Sequence, residues 1–314
     1  MNIFKSIKKK RIILIAISLN IFFIMLIYPE LLLLSTKKSI VLWVGNILPS
    51  LFPFFIFSNL MIALGITRSL PIPVFTFCMS FLSGYPTGAK IIGELFALKV
   101  IDKKTAYFLL AFCTTTGPAF IIGTVGISIL GSKLEGTILA LSHYGASLIN
   151  GFIFFLILKK VPFDNNDYNI KKSIIGKEPQ IVFFNALTEA ILNALKSMGL
   201  ILAYIVIFLF LTDLLEYIGF FSLLDTDFAT AIAKGIFEMS IGCFAIAECL
   251  CIPLQLKIAA LAFIISFGGL SVAGQSMSML EKTGISMCYY LIVKIIHAII
   301  AAIIAYALTI ICLI

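Results

Sequence analysis

The stretch FLSGYPTGAK, Phe81 to Lys90, sets Ser83, Gly84, Tyr85, Pro86, Thr87, Gly88 and Lys90 in the middle of an otherwise apolar run. Hydrocarbon cannot satisfy backbone groups that a broken helix leaves open. A helix-breaking segment at membrane depth therefore persists only where it is buried in protein or lines a hydrated cavity. A second such segment, SFGGLSVAGQS, runs from Ser266 to Ser276. Two interruptions in corresponding halves of one membrane chain are the sequence pattern of a transporter built from repeats, with its site where the breaks meet.

Composition sets the class in which that pattern is read. Hydrophobic residues make up 61% of the 314 and charged residues only 12%, against about 25% charged in an ordinary soluble domain. The apolar runs are long and continuous, which predicts an all-α polytopic membrane protein and excludes the alternating strands of a membrane barrel. The net charge of +8 is concentrated in two places. Lys5, Lys8, Lys9, Lys10 and Arg11 precede the first apolar run, and Lys159, Lys160, Lys171, Lys172 and Lys177 fall in one polar loop. Both clusters are expected on the cytoplasmic side of the bilayer. Without interleaved aromatics or a soluble domain they do not describe a nucleic-acid surface. Ile12 to Tyr28 lacks a small-residue cleavage site and is expected to stay as a first helix. The seven cysteines lie almost wholly in apolar segments and are odd in number, which predicts buried free thiols. No metal site is expected, because Cys249 and Cys251 have no neighbouring histidine and His143 and His297 are far from them in sequence.

Further spans are expected near Leu42 to Leu64, Phe75 to Leu98, Thr105 to Leu130 and Ile138 to Leu158, before the loop from Lys159 to Gln180. Two cytoplasmic basic clusters require an even number of crossings between them, whereas five apolar runs lie there. Phe75 to Leu98 is the one expected to enter and return on the same side. After the loop, Phe183 to Lys196 has the spacing of an interfacial amphipathic helix. Spans are expected at Gly199 to Leu211, Phe228 to Leu250, Leu256 to Leu280 and Ile285 to Ile314. The second half then starts its first span from the cytoplasm, whereas Leu42 to Leu64 starts from outside, as an inverted repeat requires. A constant offset supports it by pairing Ser80 with Ser266, Phe81 with Phe267 and Gly88 with Gly274.

Several groups have the chemistry to hold a solute. In CTTTGPAF, Pro118 and Gly117 break a helix, and Thr114, Thr115 and Thr116 either cap the freed carbonyls or contact a ligand. An ionisable residue in mid-bilayer costs roughly 2.5 to 3.5 kcal/mol on insertion scales. Lys90, Glu94, Lys234, Glu238, Glu248, Lys294 and His297 fall within spans. Lys90 with Glu94 and Lys234 with Glu238 are spaced to pair along one helix. Glu238 and Ser240 sit in FEMSIG, a further polar interruption, and Gly269, Ser271 and Gln275 belong to the second broken segment. The expected solute-binding set is therefore Ser83, Gly84, Tyr85, Thr87, Lys90, Thr114, Thr115, Thr116, Glu238, Ser240, Gly269, Ser271 and Gln275. No zinc-protease, rhomboid or nucleotide-hydrolysis motif is present, so no enzymatic activity and no cofactor are expected.

LPSLFPFF (Leu48 to Phe55), FLSGYPTGAK, the Thr116 to Pro118 break, FEMSIG (Phe237 to Gly242) and SFGGLSV (Ser266 to Val272) together resemble the YlbJ, or SpoVV, family of sporulation membrane proteins. That family belongs with the nucleoside-recognition or Gate-domain proteins. The resemblance implies a fold similar to concentrative nucleoside transporters, with two Gate-like repeats over residues 40–158 and 181–314. These are joined by the 159–180 loop and preceded by the basic N-terminus and first helix, 1–39. It also implies movement of dipicolinic acid across the outer forespore membrane during sporulation. The chain departs from the family pattern at Thr114, Thr115, Ile241 and Ala273, where asparagines and a histidine are common. Two functions remain in view: a transporter for a small organic anion or a nucleoside-like solute, and a non-transporting spore-envelope assembly factor. The expected partners are the bilayer and a small solute, with homo-oligomerisation and the coupling ion left open.

Overall fold

The computed structural model describes residues 2–64, 71–161, 183–250 and 252–313. In chain order the helices are α1 (Asn2–Ile27), α2 (Pro29–Leu42), α3 (Leu48–Ala63), α4 (Ile72–Ser83), α5 (Thr87–Ala97), α6 (Lys103–Cys113), α7 (Lys133–Lys160), α8 (Phe183–Tyr217), α9 (Asp227–Phe237), α10 (Met239–Glu248), α11 (Leu254–Phe267), α12 (Gly269–Leu280) and α13 (Met287–Leu313). π-Helical segments occupy Trp43–Ile47 and Ala119–Ile129. Most of the polar loop, including Lys171, Lys172 and Lys177, lies outside the described residues.

Among the described residues four helical stretches are long and apolar enough to cross a bilayer: Lys133–Lys160, Phe183–Tyr217, Leu254–Thr283 and Met287–Cys312. A fifth is added if α1 and α2, bent by 97° at Tyr28, count as one span. Leu148, Phe152 and Phe155 on α7 and Ile299, Ile303 and Ile310 on α13 point outward. Exposed apolar rows of this kind on such long helices match hydrocarbon and not water. The chain is a polytopic, all-helical integral membrane protein.

α8 corrects one expectation. Phe183 to Lys196 is not a separate interfacial helix but runs without a break into the following span, giving 35 residues, about 52 Å at 1.5 Å per residue. Against it lies an antiparallel arm made of α2, the Trp43–Ile47 turn and α3. Ser35 donates to Asp213 at 2.7 Å at one end of the pair, and Asn59 donates to the Ala190 carbonyl at 3.3 Å at the other. Ile47 and Leu51 pack on Ile201 and Ile205 between them.

The Phe75 to Leu98 segment is a helical hairpin. Gly84, at φ 70° and ψ −166°, ends α4 in a conformation closed to other residues, and α5 starts after Pro86. The arms fold back so closely that a Cβ on Gly88 would lie 2.7 Å from Ser80 Oγ. Arms of 12 and 11 residues reach only about 18 and 16 Å, roughly half the hydrocarbon thickness. Phe228 to Leu250, expected as a crossing span, is a second hairpin. Its chain turns at Glu238, whose φ of −141° and ψ of 118° are extended. Gly235 and Gly242 face each other across the arms, where a Cβ on Gly242 would fall 2.1 Å from Gly235 Cα. Two facing glycines let the half-helices touch backbone to backbone.

The other two interruptions stay extended. α6, the Thr114–Pro118 break and the Ala119–Ile129 π-helix run antiparallel to α7 as one interrupted rod. Asn150 donates to the Ala111 carbonyl at 2.9 Å and Ser147 to that of Phe112 at 2.7 Å, while Gly136 packs on Gly126 further along. α11 and α12 are similarly continuous, parted by the left-handed Gly268 and by Gly269 at φ 75°. Each half therefore reads hairpin, broken rod, long helix. This order corrects the constant-offset match of Ser80 to Ser266, which pairs a hairpin with a broken rod. The tip at Gly84 corresponds instead to the tip at Glu238, and Thr114–Pro118 to Gly268–Gly269. The cysteines also depart from expectation: Cys113 and Cys243 are buried, but Cys78, Cys288 and Cys312 are free thiols on the outer face.

Candidate functional site

All four breaks converge. Gly84 lies against Gly117, where a Cβ would come within 2.5 Å of the Gly117 nitrogen. The Tyr85 hydroxyl donates to the Ser266 carbonyl at 3.3 Å, and the Thr116 hydroxyl donates to that of Ile265 at 3.1 Å. A Cβ on Gly269 would fall 3.0 Å from the Met239 nitrogen and 3.3 Å from the Phe237 carbonyl oxygen. The first hairpin tip thus touches both broken rods, and the second rod touches the second tip. Around this meeting point a cavity is lined by Gly84, Tyr85, Thr116, Gly117, Glu238, Ser240 and Gln275. Ile47, Leu51, Phe120, Ile201, Ile205, Met239 and Val272 complete its wall. The cavity is about 40 Å³, room for a few waters. The arm and α8 supply the apolar wall, so the packing that holds these two long helices together also closes the site.

Behind Tyr85 lies a buried polar cluster that sequence reasoning did not assemble. The Thr116 amide donates to His143 Nε2 at 2.9 Å, so that nitrogen is the acceptor. The proton of a neutral His143 then sits on Nδ1 and is shared with Ser266 Oγ at 2.7 Å. His297 Nε2 lies 2.9 Å from the His143 carbonyl, an acceptor only, so His297 carries its proton there and offers Nδ1 as an acceptor. Lys294, fully buried, donates to the Thr114 carbonyl at 3.0 Å, to His297 Nδ1 at 3.3 Å and to the Tyr85 hydroxyl. The freed carbonyl at the Thr114 break thus finds its donor in the Lys294 side chain.

The expected residues separate clearly. Gly84, Tyr85, Thr116, Glu238, Ser240 and Gln275 line the cavity. Gly269 seats the second broken rod on the second tip, and Ser271 accepts from Gln275 Nε2 at 3.4 Å. Thr115 stays in the shell, meeting Ser80 Oγ at 3.3 Å, while the Thr114 hydroxyl bonds back to Leu110. Thr87 is buried as the first residue of α5, and the Ser83 hydroxyl is buried without a partner among the described residues. Lys90 is elsewhere. It reaches Asn59 Oδ1 at 3.4 Å and lines an outer groove with Glu94, Asn193 and Lys196. The spacing-based pairs do not form either. Lys234 pairs with Glu216 at 2.8 Å. Glu238, beyond the end of α9, accepts from the Ile241 amide at 2.9 Å and caps α10. Lys294 and His297 are three apart inside an apolar run, and that spacing was the available signal. The link to His143 joins residues 154 positions apart and had none.

The chain is similar to the sporulation integral membrane protein YlbJ of Bacillus subtilis (strain 168), with 27% identity over 88% of this chain and 77% of that protein. This distant homology supports membership of the YlbJ family. No family model and no solved structure matches the chain.

Proposed function

We propose that this protein moves a small organic solute across a membrane during sporulation, with dipicolinate as the leading candidate. The observation that carries the reading is the meeting of two hairpin tips and two rod breaks around one mixed polar and apolar cavity. Half-span hairpins of this kind enter and leave on one side, and the two sets of hairpin, broken rod and long helix then form an inverted repeat around a midplane site. A packing role alone does not call for Tyr85, Glu238 and Gln275 to line the same space. Sporulation enters through the likeness to YlbJ, whose name carries it. An anion is favoured by what faces it. The first turn of α10, with Met239 and Ser240 in the cavity wall, brings the positive end of its dipole there. Lys294 stands behind Tyr85, and the Glu238 carboxyl accepts from the Ile241 amide at the start of α10.

The glycine contacts at Gly84 and Gly269 are tight and the cavity is small, which favours the second reading of a non-transporting assembly factor. Purified protein in liposomes, offered dipicolinate, uridine and succinate in turn, decides between them. Saturable dipicolinate uptake supports the proposal. Uridine uptake alone moves the site to nucleoside-like solutes, and no flux of any of the three selects the assembly role.

A further inference from the structure

Lys294 has three acceptors and no acid. Its Nζ meets the Thr114 carbonyl, His297 Nδ1 and the Tyr85 hydroxyl. The ion pairs among the described residues, Lys38 with Asp213 and Lys234 with Glu216, lie elsewhere. The titratable groups facing this cluster are Tyr85 at the hairpin tip, His143 and Tyr144 from α7, and His297 and Tyr290 from α13 itself. None of these is a carboxylate; Glu238 shares the cavity wall with Tyr85, but its carboxyl accepts from the Ile241 amide and makes no bond to the cluster. An ammonium has three N–H donors and no lone pair, so these three acceptors complete its shell. The Tyr85 hydrogen is then left to donate to the Ser266 carbonyl. A neutral amine has two N–H groups and one lone pair, which needs a donor. His297 Nδ1 and the Thr114 carbonyl are acceptors, so the only donor among the three partners is the Tyr85 hydroxyl. Taking up that role, Tyr85 lets go of Ser266. One proton on Lys294 therefore decides whether the first hairpin tip is tied to the second broken rod.

We propose that Lys294 is the proton-binding coupling site of this protein, and that its ammonium clamps the Tyr85 hairpin tip across the Thr114 and Ser266 ends of the two broken rods. This rests on the transport reading and adds the coupling ion to it. In the releasing step the Nζ–H bond toward Tyr85 breaks as the Tyr85 oxygen takes that proton, and the O–H bond that had been directed at Ser266 breaks toward a water in the cavity that Tyr85 lines. The water becomes hydronium, the amine keeps the electron pair, and the hydrogen now on Tyr85 is shared with that pair. Reprotonation reverses each movement. An anion in the adjoining cavity favours the ammonium, and by linkage the ammonium favours the anion. Solute and proton are thus expected to travel together.

The test uses the full chain in sodium-free liposomes with an internal pH indicator and dipicolinate as probe. Dipicolinate entry is expected to carry protons inward, and both fluxes are expected to vanish in Lys294→Met. Hydrogen exchange over residues 80–90, corrected for the intrinsic effect of pH, supplies a readout independent of flux. Protection of the hairpin is expected to fall about tenfold as pH rises in the parent, and to stay flat in Lys294→Met and Tyr85→Phe. Tyr85→Phe keeps the ring and removes only the switching hydroxyl, so it carries the test if the lysine variant does not fold. A pH response that survives in the folded variants, or one that follows sodium instead of protons, overturns the proposal. If the hairpin responds as expected while dipicolinate stays outside, the transport reading fails and the proton clamp stands. If dipicolinate enters without protons and the hairpin is indifferent to pH, the clamp alone fails.

Discussion

The amide of Thr116 donates to Nε2 of His143 across 2.9 Å, joining the first broken rod to the long helix beside it. Pro118 and Gly117 prevent this stretch from continuing as an α-helix, so the amide has no partner in its own rod. His143 supplies one, and its other nitrogen holds Ser266 in the second rod. Truncation to alanine leaves a buried amide and a buried hydroxyl without their partner, at a cost of about 1–3 kcal/mol for an unsatisfied group. His143→Ala should lower the midpoint of unfolding in detergent, and His143→Gln, which offers both a donor and an acceptor, should recover part of the loss. An unchanged midpoint in the alanine variant would remove His143 as the tie.

Gly84 and Gly123 make a matched pair of substitutions. A Cβ on Gly84 meets the Gly117 backbone at 2.5 Å and must adopt φ 70°, whereas a Cβ on Gly123 meets nothing within 4 Å. Gly84→Ala is expected to cost more than about 2 kcal/mol through combined clash and strain. Gly123→Ala, with no neighbour to displace, is expected to fall within about 0.5 kcal/mol of the parent. Thermal unfolding of both in one detergent checks the contrast.

Glu238 caps α10 and lines the cavity at once. Glu238→Ala should cost about 0.5–2 kcal/mol, the usual loss for a removed cap. Glu238→Asp keeps a capping carboxylate but withdraws it by one methylene. Its stability should stay near the parent while uptake changes, and an aspartate variant with parental flux would confine Glu238 to the capping role.

Lys90 sits in the outer groove against Asn59 and away from the breaks. Lys90→Gln should therefore express normally and move solute at the parental rate. This reverses the expectation from its position after Gly88 and Ala89, where a lysine at a helix start promised a place in the site. A folded Lys90→Gln protein without uptake would return it there.

The hairpin geometry fixes where its ends must emerge. Cysteines placed one at a time at Ile72 and Val100, in a background without native thiols, should react with an impermeant reagent from the same face. Labelling from opposite faces would make this segment a crossing span, whatever its fold-back between Ser80 and Gly88.

Sequence alone determined that this is a helical membrane protein and where its helices break. Both follow from local costs: hydrocarbon admits few charges, and a proline with a nearby glycine at Pro86 and Pro118, or paired glycines at Gly268, interrupts a helix where the lone Pro53 is carried inside α3. Which breaks fold back and which run on was decided by tertiary structure. FEMSIG has no proline, and its turn at Glu238 depends on Gly235 meeting Gly242 and on the buried carboxylate finding the Ile241 amide. Neither contact is visible as periodicity. The choice of lysine was decided in the same way. Lys90 and Lys294 are equally costly in an apolar run, and only the convergence of Tyr85, Thr114 and His297, contributed by three separate segments, gives one of them three acceptors at the centre of the protein.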